Sequence, residues 1–199
     1  QPDAMEPGFL ALELYAAGIA EAEDLLKTVL TDKSPPHLRL SYARALIDNQ
    51  RIALAKTQLQ SLNQSHPDFA DAWLLMGALT MEQLQYDEAK SALLRFIEIE
   101  KTKEDGRLSQ AYLMLSQIAT KEKKPAEAEA WLNKIEDPEA ATQVQVERAN
   151  VLASRGDIAK ARALLAQLPE NTPQAKRAKL QAELKLLRDH KLFQAAYEL

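Results

Sequence analysis

The stretch Trp73-Leu74-Leu75-Met76-Gly77-Ala78-Leu79-Thr80, followed by Ala89, Leu93 and Phe96, holds two helical signals in succession. In the second, the leucine lies four residues after the alanine and the aromatic three beyond that, so all three share one helix face. The same trio recurs as Ala22, Leu26, Val29, as Ala55, Leu59, Leu62, as Ala128, Leu132, Ile135 and as Ala161, Leu165, Leu168, while Ala195 and Leu199 begin a sixth copy. Successive alanines are 33, 34, 39, 33 and 34 residues apart. Alanine and leucine are common here, so a single match means little, but six in phase define a repeat.

Ahead of each trio runs another apolar helical segment. Between the two lies a short polar or glycine-bearing turn, such as Ala17-Gly18, Asn49-Gln50-Arg51, Gln83 to Tyr86, or Arg155-Gly156-Asp157. Each unit is therefore expected to be two antiparallel helices. The spacing predicts first helices over 5–17, 36–49, 68–83, 107–121, 138–154 and 173–189, and second helices over 19–31, 52–65, 87–101, 125–136, 157–168 and 192–199. Pro67, Pro138 and Pro173 mark joints, and Asp137 and Thr172, just before the last two, are good N-caps. Pro7-Gly8 falls where the first of these helices would otherwise run uninterrupted. The five extra residues of the 39-residue step fall near 101–106, where a longer helix or a looser connection is expected.

The alanine of each trio has a steric reason. Where the two helices of a hairpin cross closely, a larger side chain would push the axes apart, and the leucine one turn on fills the groove beyond the crossing. A hairpin of this size cannot bury its apolar faces alone, so each must stack on its neighbours.

The composition agrees with an all-α chain. Of 199 residues 46% are hydrophobic, with only 5 glycines and with 9 prolines placed mostly between apolar stretches. A net charge of −4 and no basic patch argue against nucleic acid as partner. No apolar run approaches a membrane span, so direct membrane insertion is not expected. With no cysteine, disulfides, thiolate nucleophiles and cysteine-bound zinc are excluded. Charge is uneven along the chain, net −5 over residues 1–34 and net +3 over residues 174–199.

With Pro67 ahead of it, the third unit resembles the tetratricopeptide repeat: Trp73, Gly77, Ala89 and Leu93 stand at signature positions, with Met76 for the usual leucine and Thr80 for the usual tyrosine. The second unit keeps Tyr42-Ala43, Leu46, Ala55, Leu59, Leu62 and Pro67, and the fifth keeps Ala149, Leu152, Ala161, Leu165, Leu168 and Pro173. The fourth has Ser116 in place of the glycine. The resemblance implies a right-handed superhelix of five full hairpins and a truncated sixth, with units near 3–35, 36–69, 70–108, 109–141, 142–175 and 176–199 in a single array. A start at Gln1-Pro2-Asp3 and an end one turn into a second helix suggest a piece of a longer protein. The irregular, Ala-, Leu- and Gln-rich style of the repeats points to a bacterial source. Periplasm or envelope, and cytoplasm, both stay open as compartments, the envelope being favoured.

The resemblance also implies a protein or peptide partner, held in the concave face lined by the first helices. Leu40, Leu74, Leu113, Val146 and Leu180 occupy one helical phase there. One turn on stand Arg44, Ala78, Gln117, Asn150 and Leu184, with Met81 and Lys121 a turn further on their helices. This lane either anchors a ligand through its apolar seats, with Arg44, Gln117, Lys121 and Asn150 fixing direction, or packs between adjacent first helices. The lysine and asparagine clamp of chaperone-binding repeats is missing, since Leu40, Arg44, Leu75, Gln110 and Met114 stand at the equivalent positions.

Catalysis is not expected. His37, His66 and His190 fall at or near joints and form no ligand pair on one helix face, so no metal or other cofactor is implied. Glu21 and Glu23, like Glu127 and Glu129, are two residues apart and point to different helix faces, which suits solvation better than acid–base work. Three readings remain: a scaffold for a segment of another protein, an assembly module joining acidic first and basic last units of two copies, or the helical arm of a larger envelope or secretion-associated protein.

Overall fold

In a computed structural model of the chain, described for residues 7–16, 18–19, 21–31, 34–101 and 107–197, every regular element is helical. The chain divides into two compact units, residues 1–99 and 100–199. The first contains the hairpins α1 (Pro7–Ala16) with α2 (Glu21–Val29), α3 (Pro36–Asp48) with α4 (Ile52–Ser65), and α5 (Ala70–Glu82) with α6 (Tyr86–Glu100). The second contains α7 (Arg107–Lys121) with α8 (Pro125–Leu132), α9 (Ala141–Ser154) with α10 (Ile158–Ala166), and α11 (Pro173–Asp189) with α12 (Phe193–Tyr197).

These bounds follow the repeat closely, and the departures have local causes. Helix α1 begins at Pro7, so the Pro7-Gly8 pair starts the helix instead of interrupting it. Gly8 is buried there, and a Cβ on it would run into Cδ2 of Leu38. Helix α8 ends at Leu132, four residues before the expected 136. Pro138 disfavours helical geometry at Asp137, and Ile135 turns back onto the apolar cluster around Leu132. Residues 138–140 form a 3₁₀ turn that leads into α9, capped by the Asp137 side chain accepting from Glu139 N at 2.9 Å. Thr172 caps α11 in the same way, its Oγ1 accepting from Ala175 N at 3.0 Å. The extra residues 102–106, with 5–6, 17, 20 and Leu199, lie outside the described residues.

The alanine and leucine of the first five trios are all buried, and in the sixth Ala195 is half-buried. Facing them on the first helices is a second row of small residues, Ala11, Ala43, Gly77, Ser116 and Ala149, also buried. Each crossing thus brings two small side chains together, which lets the axes approach. Ionic and polar rungs tie one hairpin to the next. Buried Arg39 donates to the carbonyl of Thr31, which follows the first hairpin, and to Gln58 Oε1 within its own hairpin, both at 3.0 Å. Lys56 reaches Glu88 at 2.6 Å, and Arg162 reaches Glu183 at 2.6 Å.

All six hairpins turn the same way. A residue with positive φ follows each first helix: Gly18, Gln50, Leu84, Lys123, Gly156 and Lys191. In each case its N–H bonds the carbonyl three residues back, and the next N–H bonds the carbonyl five residues back, as Gln85 N does to Thr80 O at 2.9 Å and Lys124 N to Ala119 O at 2.8 Å. This pair of hydrogen bonds satisfies the last carbonyls of the helix and reverses the chain. Only two of the six positions carry the glycine that such a backbone favours.

Candidate partner-binding groove

In the second unit three successive first helices bring polar side chains from corresponding turns to one concavity of about 340 Å³. Helix α7 contributes Gln117, Thr120 and Lys121, with Lys123 from the turn behind it. Helix α9 contributes Glu147, Asn150 and Ser154, and the α11 end supplies Lys185, Leu186, Asp189 and His190. Gln117, Lys121 and Asn150 are one residue set because each sits near the end of its helix at nearly the same phase of the repeat.

The floor is Glu147, whose residue surface is only 8% exposed. Its Oε1 accepts from Gln117 Nε2 at 2.8 Å, and its Oε2 accepts from Asn150 Nδ2 at 3.2 Å. The groove lysines 121, 123 and 185 are exposed around it. The repeat spacing does not single out Glu147, since it lies one residue off the lane phase at Val146. Its signal takes a form that spacing does not read: a charged residue on the buried side of an amphipathic helix.

The apolar members of the lane divide differently. Leu40 is 2% exposed and belongs to the core cluster with Tyr42, Ala43 and Leu59. Leu113 is buried with Ala119, Ala128 and Val144. Val146 is half-buried against the cluster of the fifth hairpin. Leu74, Ala78 and Met81 are half-buried on α5, Arg44 is exposed on α3, and Leu180 is exposed on α11.

Two concavities of the first unit are lined by other residues. One, of about 310 Å³, is lined by Tyr15, Gly18, Ile19, Glu23, Asn49 and Arg51. Arg51 Nη1 donates to Glu23 Oε2 and, at 3.2 Å, to Tyr15 Oη, and this guanidinium holds the Glu23 carboxyl below its ordinary pKa. The other, of about 240 Å³, lies among Asn63, Trp73, Met76 and Glu88. Of the three histidines, His190 borders the 340 Å³ groove, His37 stacks edge-on to Phe69 and His66 bonds Ser65. Among the described residues no group of three or more His, Asp or Glu is placed to hold a metal ion, and no helix is long and apolar enough to cross a membrane.

The tetratricopeptide repeat family model matches residues 14–79. No curated protein matches the sequence significantly. Among solved structures, a Podosopora anserina putative kinesin light chain with nearly identical TPR-like repeats is 20% identical, over 81% of this chain and 90% of that one, with a TM-score of 0.63. YrrB, a TPR protein with an unusual peptide-binding site, is 19% identical over 94% of this chain and 100% of its own, with a TM-score of 0.57. PilF of Pseudomonas aeruginosa is 20% identical over 96% and 86%, with a TM-score of 0.63. Residues 14–79 thus match the tetratricopeptide repeat, and the chain as a whole shares the fold of these repeat proteins.

Proposed function

We propose that this chain is a non-catalytic scaffold that holds a segment of a partner protein, extended or helical, against its first helices. The observation that carries the reading is the convergence of Gln117, Lys121 and Asn150, from successive repeats, on one 340 Å³ concavity. A groove lined by amides and ammonium groups offers direction and register to a peptide, and the Thr120 and Ser154 hydroxyls on its lining donate to helix carbonyls instead of to His190 as an activated nucleophile would. In the first unit Arg44, Leu74, Ala78 and Met81 are accessible to differing degrees and form the corresponding candidate surface. YrrB shares the fold and has a peptide-binding site of its own, which supports the reading.

Selection of random displayed peptides on the full chain tests it. Enriched peptides should bind the Lys121→Glu, Asn150→Leu variant about tenfold or more weakly. Unchanged affinity in that variant would remove the groove from the site.

A second reading, assembly between copies, is favoured by one feature. Phe193 and Tyr197 are 64% and 90% exposed on α12, beside the basic α11, while the acidic first hairpin exposes Leu10, Ile19 and Leu25. A second copy presenting its first hairpin to α12 would cover apolar surface and pair opposite charges. Light scattering at low and high salt separates the readings, since a monomer under both conditions rules out this contact.

A further inference from the structure

Resting on the scaffold reading, we infer that the groove of the second unit reads a basic side chain flanked by acidic ones, with Glu147 as the seat of the partner's lysine or arginine. Glu147 is a carboxylate set into the groove floor without a cation. Among the described residues its partners are the amides of Gln117 and Asn150, and no lysine or arginine pairs with it. Burying a carboxylate with two neutral donors and no counter-charge is costly, and a bound cation would offset that cost.

The neighbours make the floor more selective. A carboxylate only accepts hydrogen bonds, so both amides must turn their N–H₂ groups to it. That leaves Gln117 Oε1 and Asn150 Oδ1, on residues that line the groove, without partners among the described residues. The floor thus presents acceptor oxygens from all three side chains, beside the second N–H of each amide. The C-terminal ends of α7, α9 and α11 also border the concavity, so the negative ends of three helix dipoles lie beside it. A guanidinium or ammonium fits this environment, whereas a carboxylate end of a peptide does not.

The rim is mainly basic, three lysines against Asp189. Lys121, Lys123 and Lys185 are exposed at the mouth, and no ion pair among the described residues engages them. A lone cation would meet their repulsion on entry. Acidic residues on either side of the inserted cation would meet the lysines as the cation reaches Glu147, so the preferred segment is acidic with one central base.

Peptides enriched from a random displayed library on the full chain should therefore carry lysine or arginine at one fixed position, with aspartate or glutamate on both sides. A synthetic peptide of that sequence should bind about tenfold or more tightly than its analogue with norleucine at the central position, because the analogue leaves Glu147 uncompensated. In Glu147→Gln, checked for folding by circular dichroism, the two peptides should bind equally. The norleucine comparison on the unaltered protein decides the matter even if that variant fails to fold. Enriched peptides that need Lys121 and Asn150 but show no fixed basic residue would overturn this inference and leave the scaffold standing. Absence of any enrichment would overturn both.

Discussion

A Cβ placed on Gly77 would lie 2.7 Å from both Cγ and Cδ2 of Leu93, across the crossing of α5 and α6. Leu93 is fully buried, so it has little room to yield. Gly77→Ala gains helix propensity of about 1 kcal/mol, but overpacking of this kind costs about 1–3 kcal/mol. The expected outcome is a net loss, read as a lower urea midpoint. Leu93→Ala should cost less in the Gly77→Ala background than alone, because the two side chains compete for one space. Additive losses would show that the crossing relaxes freely.

The turns offer the opposite kind of change. Leu84 holds φ at +60° with 70% of its surface exposed, so it contributes strain and little packing. Leu84→Gly should stabilise the protein by about 1 kcal/mol, since the left-handed conformation costs other residues that much. Gly156 has φ +89°, and a Cβ on it would meet nothing within 4 Å, so Gly156→Ala should destabilise the protein by about 1 kcal/mol through the backbone alone. Thermal melts of the two single variants check both signs.

Arg51, Glu23 and Tyr15 give a pH signature. The Glu23 pKa is depressed, first by the hydrogen bond from Arg51 and against the opposing effect of burial. A depressed carboxyl favours the folded state above its unfolded pKa, and that contribution is lost as pH falls through the folded value. Arg51→Met should therefore lower stability at neutral pH, by about 1 kcal/mol once the 36% exposure of the arginine side chain is allowed for. Below pH 4 the gap between variant and parent should narrow. Denaturant titrations at pH 7 and pH 3 measure it, and a constant gap would assign the arginine a packing role only.

Phe193 and Tyr197 cover little, so their replacement separates folding from association. Phe193→Asp with Tyr197→Ser should change the melting free energy by less than about 1 kcal/mol. If copies associate through α12, the same variant should be monomeric in light scattering at low salt where the parent is not.

The Ala-x3-Leu spacing and its period were enough to place twelve helices, because helical periodicity is a local property that each segment carries by itself. Asp137 and Thr172 were legible as caps for the same reason, since a side-chain oxygen and an N–H two or three residues on need no third party. The turns were only half legible. Gly18 and Gly156 announce a left-handed residue, but Gln50, Leu84, Lys123 and Lys191 adopt it without the usual marker, compelled by hairpins whose packing outweighs about 1 kcal/mol of backbone strain.

The sequence by itself determined the repeat, the hairpins and the small residues at each crossing. Tertiary structure alone decided which face of each first helix stays open. Leu40 and Leu113 share a phase with Leu74, yet stacking carries the first two into apolar clusters and leaves the third half-covered. It likewise decided that Glu147, Gln117 and Asn150 meet at one floor. Contacts between residues some thirty positions apart depend on how one hairpin settles on the next, and no period along the chain records that angle.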